Sequence, residues 1–270
     1  MATEEPIMED EDSLLFEVRE GIAWITFNNP ARHNAMSQEM WDGAADLLDQ
    51  YAANPGVRAI VLTGAGNRAF VAGADISKFE SQRSSEEARA SYDLSVSRFH
   101  VSLLRVAKPT IARIDGYCIG GGLAIAISCD IRVCSYKSTF GVPAAKLGIG
   151  YKFKGIRELE RLVGPAFTAE IFYTGRQFDA EEARGMGLVN RVVPEAELDE
   201  TVGDLVGRIA RNAPLSIKAV KEALIELGKP EVDWDLSAHQ ATVKQTGTSA
   251  DYTEGRTAFM EKRPPRFIGR

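Results

Sequence analysis

The sequence predicts an α/β fold with a helical carboxyl-terminal region, and three observations lead to that expectation. Strand-like apolar runs alternate with helix-like stretches along the body of the chain, the pattern of a sheet covered by helices. Glycine clusters follow two of the strand-like runs, at residues 64–66 and 120–122. Past residue 200 only helical patterns occur. We therefore divide the chain into a disordered acidic tail (1–13), an α/β body (14–200) and a helical region (201–270).

The sequence of the first part of the body predicts two strands, a capped helix and a buried strand. The runs Leu14–Glu20 and Ile22–Phe27 are strand-like and are separated by one glycine. Ser37 is a favoured N-cap residue ahead of apolar residues at helical spacing, and Asn54-Pro55 ends that helix. The short run Ala59–Thr63 is apolar up to its last residue, which is typical of a strand buried on both faces.

The rest of the body continues this alternation. A helical stretch over Glu86–Val106 ends before Lys108-Pro109. A strand at Thr110–Ile114, a helix at Leu123–Ser128 and a strand at Ile131–Cys134 are expected to follow.

The helical region begins soon after Pro194, and its sequence pattern predicts four helices. They are expected to cover residues 197–212, 215–227, 232–245 and 251–262. The second helix carries apolar residues at helical spacing, namely Ile217, Val220, Leu224 and Leu227. An exposed stripe of this kind needs a partner surface, although it could instead pack on its own domain.

Composition and charge argue against several classes of protein. A net charge of −6 and a pI near 5.3 are unfavourable for nucleic acid, since phosphate binding requires clustered Lys and Arg. No window approaches about 18 consecutive apolar residues, so no membrane span is expected. The acidic amino terminus lacks the basic start of a secretory signal. The three Cys and three His show no metal-ligand spacing. We expect a cytoplasmic protein with reduced Cys118, Cys129 and Cys134 and no metal ion.

The first glycine cluster matches one form of a dinucleotide-binding fingerprint. Residues 64–69 read G-A-G-N-R-A and follow a strand. That fingerprint also requires a helix to begin at the glycines, so that the helix amino terminus faces a pyrophosphate. The short extended piece Phe70–Ile76 follows instead. The sequence therefore argues against a nicotinamide cofactor, and no G-K-[ST] follows any glycine cluster to form a triphosphate loop.

Two further glycine segments predict an oxyanion site when they are taken together. Residues 72–76 read A-G-A-D-I, and Gly120–Gly122 precede a helix. A helix that begins at glycines leaves backbone N–H groups unpaired at the positive end of its dipole. Two such groups aimed at one carbonyl oxygen would stabilise an oxyanion by ~3–4 kcal/mol per donor. The alternative is that these glycines only permit tight turns and close packing.

The order and spacing of many motifs resemble those of the crotonase family, which includes enoyl-CoA hydratases and isomerases. The motifs are Phe70–Ile76, Lys108-Pro109, Asp115–Gly122 and Cys129-Asp130, with further matches at Asn29-Pro30, Asn34–Met36, Phe140-Gly141, Leu147-Gly148, Thr174-Gly175, Ala180–Ala183, Gly187–Val189, Phe259 and Glu261–Arg263. The resemblance extends over about residues 15–265.

This resemblance implies a fold, a ligand and an assembly. The fold would be a ClpP/crotonase-like spiral of ββα units with a helical carboxyl-terminal region for trimerisation, as a homotrimer or a dimer of trimers. The ligand would be an acyl-CoA substrate, with coenzyme A as part of the substrate and no permanently bound cofactor. The backbone N–H groups of Ala72 and Gly121 would form the oxyanion hole. Residues expected at the CoA nucleotide are Ala31, His33, Ala74, Asp75 and Ile76, together with Phe259 and Lys262 toward a neighbouring subunit.

The sequence departs from the hydratase pattern at both catalytic glutamates. In family members that hydrate enoyl-CoA, two glutamates flank the attacking water, and the matching positions here are Ala124 and Ala144. Alanine transfers no proton, and each positioned general acid or base typically contributes ~10²–10⁴-fold to a rate. Standard enoyl-CoA hydration is therefore not expected.

Other polar residues are candidates for the missing chemistry. Tyr151 matches a tyrosine of the malonyl-type decarboxylases of the family, and Lys152 occupies the place of a catalytic Asp in related isomerases. Lys152 could hold a substrate carboxylate or protonate an enolate. Alternatively, Lys152 and Lys154 face solvent or grip a CoA phosphate while Tyr151 packs on the acyl chain. His100 and Asp93, on the preceding long helix, are next in line.

Two classes of function remain open from the sequence. The first is an enzyme that acts on acyl-CoA through a thioester enolate, as an isomerase, a malonyl-type decarboxylase or a weak hydratase. The second is a protein that binds acyl-CoA without turning it over. Retention of the glycine segments together with loss of both glutamates is compatible with either class.

Overall fold

In the computed structural model, which describes residues 13–74 and 85–270, ten strands form two sheets. Residues 1–12 of the acidic tail and the expected nucleotide-binding residues Asp75 and Ile76 lie outside the described residues. The strands are β1 (Leu14–Arg19), β2 (Ile22–Phe27), β3 (Ala59–Gly64), β4 (Ala69–Val71), β5 (Thr110–Ile114), β6 (Tyr117–Ile119), β7 (Ile131–Ser135), β8 (Thr139–Gly141), β9 (Gln177–Asp179) and β10 (Arg191–Val193).

Nine α-helices are present in the described ranges. They are α1 (Gln38–Ala53), α2 (Glu86–Arg105), α3 (Gly121–Ser128), α4 (Phe153–Thr174), α5 (Ala180–Gly185), α6 (Leu198–Arg211), α7 (Pro214–Leu227), α8 (Ser237–Gly247) and α9 (Ala250–Met260). None of the helices in this part of the chain combines the length and the apolar character needed to cross a membrane.

The two sheets are interleaved along the chain. The larger sheet has the order β1-β2-β3-β5-β7-β10, and all neighbours are parallel except the antiparallel pair β1 and β2. The smaller sheet has the order β4-β6-β8-β9, with β9 antiparallel to β8. Strands β3, β5 and β7 are each followed by a strand of the smaller sheet and then by a helix. These successive ββα units confirm the expected spiral.

The larger sheet separates two apolar cores, and β3 contributes to both. All six residues of β3 are buried. Ile60 and Leu62 pack in the larger core with α1 and α2, whereas Val61 packs against Leu198 and Val202 of α6. Side chains alternate across a strand, so α6 covers the opposite face of the sheet. A strand that is covered on both faces accounts for the apolar run in the sequence.

The expected elements were largely confirmed, including the capped helix near the amino terminus. The Ser37 side chain accepts a hydrogen bond from the backbone N–H of Met40 at 3.3 Å, as an N-cap should. The helix expected over residues 232–245 was wrong at its start, since α8 begins only at Ser237. Residues 231–233 form a 3-10 turn instead, and the Asp235 N–H donates to the Glu226 carboxylate at 2.8 Å. These local bonds hold the chain out of a helix.

A buried ion pair fastens α7 to the α/β body. Lys221 Nζ donates to both carboxylate oxygens of Asp130 at 2.6 Å, and only 7% of the lysine side chain is exposed. The backbone N–H and the hydroxyl of Thr110 donate to the same carboxylate at 2.8 and 3.0 Å. Asp130 is therefore satisfied by β5 and by α7 together, which places the helical region firmly against the end of α3.

Candidate active site

Two glycine loops meet because the strands that precede them are neighbours. Strands β4 and β6 are parallel, so their carboxyl ends lie at the same edge of the smaller sheet. Residues 72–74 follow β4, and residues 120–122 follow β6. A methyl group added to Gly121 would lie 3.6 Å from the Cα atom of Gly73. The sheet topology thus brings together segments that are nearly fifty residues apart in sequence.

The second loop places at the start of a helix an N–H group that has no acceptor in the described part of the chain. Gly120 adopts φ 55°, and its N–H donates to the carbonyl oxygen of Gly141 at 2.8 Å. Its own carbonyl accepts from Ala124 N–H at 3.0 Å, which closes the first turn of α3. Gly121 is the first residue of α3, so its N–H has no acceptor within the helix. The positive end of the helix dipole lies at this N–H.

Ala72 does not supply the partner donor, contrary to the expectation from the sequence. Its N–H donates to the carbonyl oxygen of His33 at 3.0 Å. Two residues further on, Ala74 forms an isolated parallel bridge with Met36, in which Met36 N–H donates to Gly73 at 2.9 Å. Within residues 13–74 and 85–270 the Ala74 N–H has no acceptor. As far as the described residues go, the donor without an acceptor in the first loop is therefore the N–H of Ala74 and not that of Ala72.

Asn34 fastens the turn that precedes β4 and the first residue of β4, a contact that the sequence did not reveal. Its side chain is fully buried and donates to the carbonyl oxygens of Ala65 at 3.0 Å and Ala69 at 2.8 Å. The side-chain oxygen Oδ1 of Asn34 accepts from the backbone N–H of Asn29 at 3.0 Å. Asn34 also adopts φ 56°, a conformation that asparagine tolerates better than most residues. The Asn29-Pro30 and Asn34–Met36 motifs were its only signal.

The residues expected at the CoA nucleotide occupy two separate places. Ala31 is exposed in a 3-10 turn. His33 follows this turn, and its ring packs edge-to-face against that of Tyr117 with the ring centroids 5.8 Å apart. Phe259 and Lys262 lie at the end of α9, where Phe259 is 82% exposed. In the described residues no hydrogen bond or ring contact joins that pair to the glycine loops. Their role at the nucleotide remains a prediction.

The expected acyl pocket lacks a carboxylate at both hydratase positions. Ala124 is partly exposed in the first turn of α3, and Ala144 is buried in a 3-10 turn that follows β8. Trp41 of α1 closes this region, because its Cζ2 atom would lie 3.7 Å from a methyl group at Gly121. Trp41 Nε1 donates to the hydroxyl of Tyr92 on α2 at 3.0 Å. The surroundings of Gly121 are therefore largely apolar.

His100 of α2 lies within this apolar wall and faces α3. Its ring lies 5.8 Å from that of Trp41, and its Nδ1 is 3.1 Å from the hydroxyl oxygen of Ser128. The Ser128 hydroxyl donates to the carbonyl oxygen of Ala124 at 2.8 Å. Burial, reinforced by the positive charge of Lys154, lowers the pKa of His100 to about 4. The imidazole is therefore neutral at physiological pH.

The Tyr151–Lys154 segment runs beside α2, at the start of α4. Tyr151 packs against Phe172 with ring centroids 4.8 Å apart, and burial raises the pKa of its phenol to about 12. Lys152 pairs with Asp93 of α2 at 2.9 Å, with 69% of the lysine side chain exposed. Of the two alternatives for Lys152, the structure favours a solvent-facing lysine, which is paired with a carboxylate of its own chain.

The described His, Cys, Asp and Glu side chains form no metal-binding group, and the three cysteines are buried. In the part of the chain that the structure describes, no group of three His, Cys, Asp or Glu side chains is arranged to hold a metal ion. Cys118, Cys129 and Cys134 are free and buried. Burial raises the pKa of Cys129 and of Cys134 to about 12, so both remain protonated thiols.

Comparison with known proteins identifies relatives over nearly the whole chain. The model of the enoyl-CoA hydratase/isomerase family matches residues 17–270. The crotonyl-CoA hydratase of Syntrophomonas wolfei is 34% identical over 259 residues, which cover 96% of this chain and 99% of the relative. The short-chain-enoyl-CoA hydratase of Clostridium acetobutylicum is 32% identical over 252 residues, covering 93% and 96% of the two chains.

A solved structure agrees with the same assignment. The crystal structure of an enoyl-CoA hydratase/carnithine racemase from Magnetospirillum magneticum superimposes with a TM-score of 0.90 at 35% identity. The superposition covers 96% of each chain.

Proposed function

The chain belongs to the enoyl-CoA hydratase/isomerase family of the crotonase superfamily, and from this premise we propose that it binds an acyl-CoA thioester and stabilises its enolate. The stabilising groups are the backbone N–H groups of Ala74 and Gly121. One observation carries the proposal: the loops that hold Ala74 and Gly121 follow neighbouring strands, and neither N–H group has an acceptor among the described residues. The Ala72 N–H is already bonded to His33 and is not part of the oxyanion hole.

The apolar surroundings make these two donors effective. Hydrogen bonds to a developing oxyanion are stronger in a site with low dielectric, and each donor typically contributes ~3–4 kcal/mol to lowering a barrier. Trp41 and the first turn of α3 supply such an environment next to Gly121. Gly121 belongs to a regular helix start, so its N–H needs no rearrangement when charge develops.

The residues at the two hydratase positions do not favour hydration of a simple enoyl-CoA. Ala124 and Ala144 offer no proton-transfer group at the two positions where hydratases of the family carry glutamate. The proposed reaction is a conversion of the enolate itself, with isomerisation of the acyl double bond as the first candidate. Decarboxylation of a malonyl-type ester is the second candidate, because Lys152 could exchange Asp93 for a substrate carboxylate.

A panel of CoA esters tests the proposal against simple binding. Butyryl-, crotonyl-, 3-enoyl- and malonyl-type esters would be assayed for affinity by calorimetry and for product by mass spectrometry. We expect micromolar affinity for several esters, double-bond migration in a 3-enoyl ester and slow or absent hydration of crotonyl-CoA. Tight binding without any product would establish the non-catalytic alternative, and failure to bind every ester would refute the proposal.

The substitutions Gly121→Pro and Gly121→Ala form a matched pair for the oxyanion donor. Proline removes the N–H, yet it is favoured at the first position of a helix. Alanine retains the N–H, and its methyl group would lie at 3.6–3.7 Å from Gly73 and Trp41. We expect Gly121→Pro to lower turnover ~10²–10³-fold relative to Gly121→Ala. If circular dichroism shows that both variants are folded and their turnover is equal, the assignment of Gly121 to the oxyanion hole is wrong.

The proposed assembly is a homotrimer or a dimer of trimers. On α7, Val220, Leu224 and Leu227 are each more than half exposed in the isolated chain. Phe259 and Met260 at the end of α9 are about four-fifths exposed. Large exposed apolar groups in this number are uncommon on a monomer and indicate an interface. Burial of this surface by a neighbouring copy would also bring Phe259 and Lys262 toward a second site.

A further inference from the structure

We propose that His100 is the proton-transfer group of the acyl pocket, accepting and returning the proton on the α-carbon of the bound acyl group. This inference rests on the proposed function and assigns to that site its reaction class. His100 is placed by three elements at once, α2 that carries it, α3 that bonds it and α1 that packs against it.

The hydrogen bonds around Ser128 fix the tautomer of the imidazole. Ser128 has one hydroxyl proton, and it donates that proton to the carbonyl oxygen of Ala124 at 2.8 Å. At the 3.1 Å contact with Nδ1 of His100, Ser128 therefore accepts, and Nδ1 carries the hydrogen. Nε2 is then left with a lone pair, and within the described residues no hydrogen bond to Nε2 is found. A neutral imidazole of this tautomer is a proton acceptor.

The position of His100 relates it directly to the missing glutamates. Ala124 holds the first hydratase position, and two consecutive hydrogen bonds through the Ser128 hydroxyl join its backbone carbonyl oxygen to Nδ1 of His100. Trp41 connects the same histidine to Gly121, since its ring lies 5.8 Å from the imidazole and next to the glycine. A histidine in this wall can thus take over proton transfer from a carboxylate at position 124.

The charges around His100 disfavour its imidazolium form unless a negatively charged enolate lies next to it. Lys154, at the start of α4, is the charged group that disfavours the imidazolium. Ser128 of α3, Trp41 of α1 and Phe99 of its own helix are uncharged. Two turns earlier on α2, Asp93 is paired with Lys152. An imidazolium is unfavourable in these buried surroundings, and the negative charge of an adjacent enolate would offset that penalty.

The proposed step is balanced without any co-reactant. The bond between Cα and its hydrogen breaks, and the proton passes to Nε2 of His100. The electron pair enters the bond between Cα and the carbonyl carbon, while the carbonyl pair moves to the oxygen held by Ala74 and Gly121. Return of the proton to another carbon of the acyl chain completes an isomerisation. One base suffices for this transfer, whereas hydration needs a second group to activate water.

Proton exchange in deuterated water tests the assignment with butyryl-CoA as the probe. We expect the unmodified protein to exchange the α-protons, and His100→Gln to slow that exchange at least ~10²-fold with affinity unchanged. The matched control is His239→Gln, since His239 bonds Ala219 in the helical region; it should exchange at the normal rate. Normal exchange in His100→Gln would overturn the assignment.

Imidazole nitrogen shifts of the unmodified protein give a second readout that does not depend on folding of a variant. At pH 7 the ¹⁵N spectrum should show His100 with hydrogen on Nδ1, and Ser128→Ala should shift the tautomer ratio. A spectrum with hydrogen on Nε2 would contradict the proposal. Butyryl-CoA that binds without α-proton exchange would also contradict it while leaving the oxyanion hole intact. Failure of any CoA ester to bind would instead refute the proposed function.

Discussion

Ala72 and Ala74 are two positions apart, yet their N–H groups have different surroundings. The sequence identified the glycine segment but not the amide that remains free, because that depends on the carbonyl of His33, a residue about forty positions away in sequence. Local patterns report turns and helix starts well. They do not report which backbone group a distant strand or turn has already paired.

Gly122 provides a stability test at the start of α3. A methyl group there would collide with the carbonyl oxygen of Val71, because α3 begins directly on β4. We expect Gly122→Ala to lower the free energy of unfolding by ~1–3 kcal/mol or more. Gly203, inside α6, has open space around it, and Gly203→Ala should stabilise by ~0.5–1 kcal/mol. Urea denaturation measures both, and a neutral Gly122→Ala would contradict the close packing.

His100 should make stability depend on pH in a defined window. Its folded pKa is about 4, below the ordinary value of 6.5, because burial disfavours the imidazolium. Protonation then favours the unfolded chain, so stability falls as the pH decreases from 6.5 toward 4. Between pH 6.5 and 5 we expect the unmodified protein to lose ~2 kcal/mol more than His100→Gln. Identical denaturation profiles for the two proteins would show that His100 titrates normally.

The periodic elements were predictable, and the short or interrupted ones were not. Helix α2 follows from the helical spacing of its buried residues, and strand β3 follows from its continuous apolar run, since all six of its residues are buried. Strands β4, β6 and β8 have three residues each, too few for a pattern of alternation. Helix α4 extends over residues 153–174 and is kinked at Gly164, whose φ of 76° is not helical and which precedes Pro165. The range is therefore two helices joined at that kink, an interruption that helical spacing alone does not predict.

The Lys221–Asp130 pair is expected to be the main polar attachment of α7. Removal of one partner leaves a buried charge without compensation, which typically costs ~3–5 kcal/mol. Lys221→Met should therefore destabilise strongly, whereas Lys221→Met combined with Asp130→Asn should recover part of the loss. Arg184→Ala is the control, because its pair with Glu181 is more than half exposed on both sides, and it should change stability by less than ~0.5 kcal/mol. A double-mutant cycle by thermal denaturation would be decisive.

The assembly determines whether the site is completed by a second copy. Light scattering should give a mass three or six times the 29.5 kDa of one chain. Replacement of Leu224 and Leu227 by glutamate should yield smaller species, because charges would replace apolar groups at the proposed interface. A stable monomer of the unmodified protein at micromolar concentration would exclude the trimer and the shared nucleotide site.

The oxyanion hole is tested most directly by the carbonyl stretch of a bound thioester. Butyryl-CoA labelled with ¹³C at the carbonyl would be followed by isotope-edited infrared difference spectroscopy, which requires binding but no turnover and no contribution from His100. Two N–H donors should polarise the carbonyl and shift its stretch to lower frequency in the unmodified protein and in Gly121→Ala. Gly121→Pro, which lacks one donor, should show a clearly smaller shift. An unshifted carbonyl in the unmodified protein, or an equal shift in all three, would contradict the assignment of Ala74 and Gly121.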